Sequence, residues 1–115
     1  MKRQTVVYLK QIHDAIAWIE KYTRGMDLEG FRADHMAQDA VLKQIEVIGE
    51  AAKHLPPEFT DLHPEIPWKD IVGMRDIVVH NYFGIDIVAT WKTASTDIPL
   101  LGKSIERILQ DLKTS

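Results

Sequence analysis

The sequence predicts an all-α protein built as a four-helix bundle. Three observations carry this. Apolar residues recur at about 100° per residue along four stretches. Nothing alternates with a period of two for long, as a half-buried strand would. The chain has 115 residues and is 45% hydrophobic, enough for a single domain over residues 1–115 with one core.

In the first helix, Tyr8, Leu9, Ile12, Ala15, Ile16, Ile19 and Tyr22 fall on one side, and Gly25 is a natural stop. The following GMDLEGF reads as a loop. The second helix is expected from about Asp34 to Leu55. Its apolar positions, from Met36 and Val41 through Ile45 and Ile48 to Leu55, cover about half the circumference, which marks a central helix. Gln44 lies near the middle of that arc and reads as a core amide with a satisfied hydrogen bond. Glu46 and Glu50 lie opposite. Such a pair can bind metal, but Lys43 and Lys53 stand three residues from each, which favours a solvated salt-bridge face.

Pro56–Pro57 ends the second helix, and LPPEFTDLHPEIPW is a connector with room for an extra short helical turn around Glu58 to Leu62. The third helix is expected from about Pro67 to Phe83, with Gly84 as its stop. The fourth begins at Asp86, a good N-cap. Its stripe of Ile87, Trp91, Ala94, Ile98, Leu101, Ile105, Ile108 and Leu112 stays in phase across Pro99. This predicts one long helix kinked near that proline, or two nearly collinear pieces.

Composition narrows the function. There is no cysteine, which removes disulfides, thiolate metal sites and cysteine nucleophiles together. The formal charge of −3 argues against bulk nucleic-acid binding but allows a small local basic site. No apolar run is long enough to span a bilayer, and the basic start lacks a signal peptide's apolar run, so a cytoplasmic protein is expected. His13, His35, His54 and His63 form no convincing metal-ligand spacing within a helix, so no metal or other cofactor is expected.

The third helix does not suit a plain bundle. Trp68, Ile71, Val72, Val78, Val79, Tyr82 and Phe83 define its apolar stripe, and Arg75 projects near the centre of it. A buried guanidinium costs several kcal/mol unless it is paired, so Arg75 needs a hidden partner or an anion. Met74 and Ile77 lie on the far side, which leaves apolar surface all round and asks for a second subunit. Asp76 is four residues before His80 and shares its face, where it could hold the imidazole's tautomer. Two readings of this set stay open. One is a structural ion pair. The other is metal-free phosphodiester cleavage: histidine moves protons near neutral pH, arginine stabilises charge on phosphate, and the ribose 2′-hydroxyl is the nucleophile.

The stretch RDIVVHNYF reads R-x4-H-x-Y, with Arg75, His80 and Tyr82 at the fixed positions. This resembles the HEPN superfamily and, within it, the HepT-like toxin ribonucleases. The likeness extends to YLKQIHDAIAWIEKYT, QDAVLKQIEVIGEAAKHL, the FGID after the motif, and Trp91, and so covers nearly the whole chain. It implies a HEPN-type bundle that forms a homodimer with the two motif helices at the interface, acting as a metal-independent endoribonuclease on mRNA or tRNA. It also implies a type VII toxin–antitoxin pair. There the antitoxin is an ATP-using MNT-type nucleotidyltransferase that adds AMP to the motif tyrosine. Carried over by position, Arg75 and His80 are catalytic and Tyr82 is the modification target. Asp76 is an auxiliary residue at a position that often holds asparagine or another polar residue. Asn81 stands where glycine is frequent and alters access beside the motif. The alternatives are a non-catalytic HEPN substrate-binding partner of a nucleotidyltransferase and a protein whose Arg75 only holds a dimer together.

Overall fold

The computed structural model describes residues 2–80 and 84–114, without the side chains of His80 and Thr114. Its frame is three long helical stretches. Helix α1 (Arg3–Thr23) buries Leu9, Ile12, Ala15, Ile16 and Ile19, the predicted stripe, and Gly25 follows it at a φ of 77°. Helix α3 (His35–Lys53) starts at Asp34, whose side chain accepts from the Ala37 N–H at 3.0 Å. It packs along α1 and buries Val41, Ile45 and Ile48 fully. Burying each such side chain contributes on the order of 1.5–3 kcal/mol.

Between them, the stretch expected to be a loop contains a short helix, α2 (Leu28–Arg32). The Asp27 carboxylate caps it by accepting from the Gly30 N–H at 2.8 Å. Phe31, fully buried, anchors α2 against Trp91 with ring centroids 5.3 Å apart. After α3 comes α4 (Pro57–Thr60), the extra turn expected in the connector.

The third predicted helix does not run to Phe83. It is broken into α5 (Trp68–Val72) and α6 (Met74–Val78) at Gly73, and the chain then turns extended. Val79–His80 (β1) pairs antiparallel with Gly84–Ile85 (β2). The Asp86 N–H donates to the Val78 carbonyl at 2.7 Å. Glycine is a weak helix former, and the adjacent β-branched Val78 and Val79 favour extended backbone, so the local propensities explain both breaks. Gly84 has a φ of 80°, a left-handed conformation suited to glycine.

The last stretch begins at Asp86, which accepts from the Ala89 N–H at 3.0 Å, as expected. Helix α7 (Ile87–Lys92) passes through a π-helical turn (Thr93–Asp97) into α8 (Ile98–Thr114). The Ile98 N–H bonds the carbonyl of Thr93, five residues back. Pro99 has no N–H to give Ser95, and the disturbance expected near it takes the form of this wider turn. Helix α8 lies on α1 at Gly102, where a Cβ would stand 3.1 Å from the Ile16 side chain. No helix among the described residues is long and apolar enough to cross a membrane.

Candidate functional site

Helix α6 buries Met74 and Val78, continuing the face that Ile71 begins in α5. This inner face is rotated from the predicted one: Met74, expected on the far side, is inside, while Val72 is exposed. Arg75 therefore leaves the core. Its side chain is 52% exposed, and Nε donates to Oε1 of Glu46 at 3.0 Å. The hidden partner expected for a buried arginine is thus a carboxylate on α3 at the surface.

Arg75 lines a cleft of about 660 Å³ between α1, α3, α5 and α6. Lys43, Glu46, Glu50 and Lys53 line it from α3, Gln11 from α1, and Val72, Arg75 and Asp76 from α5 and α6. Three cations there face three carboxylates, so the lining has no net charge when its histidine, His54, is neutral. Recognition of an anion in this cleft must come from directed donors rather than from a general field. The glutamates do not pair with Lys43 and Lys53 as expected. Glu46 takes Arg75, and Glu50 lies 3.3 Å from Nε2 of His54. That imidazole stacks on Tyr8, with centroids 5.2 Å apart.

The other motif residues are placed unevenly. Asp76 is exposed beside Arg75. Because α6 ends at Val78, the helical i,i+4 relation expected between Asp76 and His80 does not hold. His80 is in β1, paired through its backbone with Gly84. Its side chain, and Asn81, Tyr82 and Phe83, lie outside the described residues. Among the described residues, no group of three or more His, Asp or Glu side chains could hold a metal ion.

Sequence reasoning set Glu46 on a solvated face without its link to Arg75, and it missed Gly49. A Cβ on Gly49 would stand 3.3 Å from the backbone oxygen of Val72, so this glycine lets α3 approach α5 closely. Glu46, one turn earlier on the same face, is thereby brought to Arg75. A glycine inside a strong helical pattern was the available signal of close approach. Lys43 and Lys53 are the two lysines of the cleft, whereas Lys69 and Lys92 are exposed outside it.

Comparison with known proteins agrees with the resemblance read from the motif. Residues 12–108 match the family described as Ribonuclease HepT-like. The chain is 45% identical over 108 residues to "Probable ribonuclease HepT" of Thermococcus cleftensis, covering 94% of this chain and 98% of that protein. It is 41% identical over 112 residues to a Methanocaldococcus jannaschii protein named as a gamma-glutamylcyclotransferase and "putative RNase". That match covers 97% of this chain and 50% of the longer relative. A "putative RNase" of Caldanaerobacter subterraneus is 39% identical over 106 residues, covering 92% of this chain and 95% of that one. No solved structure matches the chain.

Proposed function

The chain belongs to the ribonuclease HepT-like family, and on that premise we propose that it is a metal-independent endoribonuclease with Arg75 and His80 as its catalytic pair. The observation that supports this best is the state of Arg75: half exposed at a cleft, with one edge of its guanidinium held by Glu46. In the proposed reaction the ribose 2′-hydroxyl attacks the adjacent phosphorus and loses its proton. The bond to the 5′-oxygen of the next nucleotide breaks, and that oxygen takes up a proton. His80 serves these proton transfers, and Arg75 stabilises the charge on the phosphoryl oxygens. The products are a 2′,3′-cyclic phosphate and a 5′-hydroxyl.

The active form is a homodimer. Val72 and Ile77, 40% and 55% exposed on either side of Arg75 in sequence, supply apolar surface for a second copy beside the cleft. The protein acts in the cytoplasm as the toxin of a pair. Its partner, an MNT-type nucleotidyltransferase, uses ATP to attach AMP to Tyr82 and so silences the site. Asp76 and Asn81 modulate the motif without transferring protons.

The purified, unmodified protein should cut RNA in EDTA. Arg75→Ala and His80→Ala should each slow cutting by about a hundredfold or more. Undiminished cutting by both variants would sink the assignment. Co-expression with the nucleotidyltransferase should add mass in steps of one AMP, visible by intact mass spectrometry. Persistence of those steps in Tyr82→Phe would exclude Tyr82 as the target.

A further inference from the structure

We infer that Glu46 is a positioning residue for Arg75: it holds the guanidinium by its Nε edge and turns the terminal nitrogens to an RNA phosphate. This rests on the ribonuclease reading above and adds a residue outside the R-x4-H-x-Y motif. An arginine side chain has a donor at Nε and four more at its terminal nitrogens, all in one plane. A carboxylate that accepts at Nε fixes that plane and leaves a terminal pair for a bidentate bond to phosphate. Glu46 accepts at Nε, at 3.0 Å. Among the described residues, it is the one carboxylate within ion-pair distance of this guanidinium.

The supports of the two residues differ in kind. Arg75 sits in α6, a five-residue helix set between Gly73 and the turn to extended backbone at Val79. Glu46 sits in the middle of α3, a 19-residue helix whose inner face is fully packed. The short element thus takes its side-chain orientation from the long one. Gly49 sets the spacing, because its missing Cβ allows α3 to close on the Val72 carbonyl. Both side chains line the same cleft, and Glu46 is itself partly exposed there, so the pair is reachable by a phosphodiester.

A merely structural ion pair and a positioning contact differ in what their loss does. The test uses the full chain and a short RNA of defined sequence in EDTA. It compares wild type with Glu46→Ala and Glu46→Gln, whose amide oxygen still accepts from Nε. Glu46→Ala should lower kcat tenfold to a hundredfold with KM changed less than threefold. Glu46→Gln should recover most of the lost rate. The Arg75 Nε–H resonance should be slow to exchange with water in wild type and Glu46→Gln, and fast in Glu46→Ala. Equal kcat in wild type and Glu46→Ala would overturn the inference while leaving the ribonuclease reading intact. So would equal losses in the alanine and glutamine variants, with both showing wild-type melting temperatures. If wild type itself cuts no RNA, the ribonuclease reading fails, and the Nε–H exchange alone then decides whether Glu46 orients Arg75.

Discussion

Single side chains set the edges of this structure. Gln38 is the clearest case. It is buried, and its Nε2 donates to the carbonyl oxygens of Phe31 and Arg32 at 2.9 and 3.0 Å. Those oxygens end α2, where a helix has no partner of its own to offer. Replacing Gln38 by leucine keeps the bulk but takes a donor from both carbonyls; that of Phe31 keeps the Asp34 N–H at 3.2 Å, and that of Arg32 loses its bond. The substitution should destabilise the protein by about 1–3 kcal/mol in urea denaturation. The sequence pointed to Gln44 instead, because Gln44 lies in the apolar arc, yet Gln44 is only half-buried. Periodicity finds the face of a helix but says nothing of what opposes it, and the carbonyls that demand an amide come from α2. Arg75 taught the same lesson. Its need for a partner was legible in the sequence. That the partner is Glu46, 29 residues away, depended on where α3 passes.

Among the elements, legibility tracked length. Helices α1 and α3 were readable because their patterns span several turns, and the start of α7 because Asp86 caps it as expected. The short helix α2 was hidden by Gly25 just before it and Gly30 within it, which suggest a loop until Phe31 is seen docked on Trp91. The motif segment misled for the opposite reason. Trp68 to Phe83 carries enough apolar residues for a helix, and apolar count outweighed Gly73 and the paired valines. Those local preferences won, and the chain leaves the helix at Val79. Of the candidate site, residue types and motif were therefore legible, while the cleft that surrounds Arg75 was not.

At the scale of the whole molecule, the proposed second copy is the feature most open to test. Ile77 is 55% exposed and lies two residues after Arg75. Ile77→Lys leaves the core untouched and places a charge on the face assigned to the partner. It should shift the protein from dimer to monomer in sedimentation velocity and reduce RNA cutting at micromolar concentration, with its melting behaviour otherwise retained. A dimer of unchanged affinity in that variant would place the interface elsewhere.

The π turn between α7 and α8 bears on the molecule as a matter of register. Ahead of it, the helix is held by Trp91 on Phe31, with Thr90 fully buried; beyond it, the helix is held by Gly102 on Ile16. A regular α-helix with the same number of residues would rotate one of these anchors by roughly 100° relative to the other. The stripe read from the sequence packs inward on both sides of the turn, from Trp91 and Ala94 to Ile98, Leu101 and Ile105, and the buried Thr90 and Thr93 add to it. The wider turn therefore acts as one residue of slack in the rod, placed between its dock on Phe31 and its dock on Ile16.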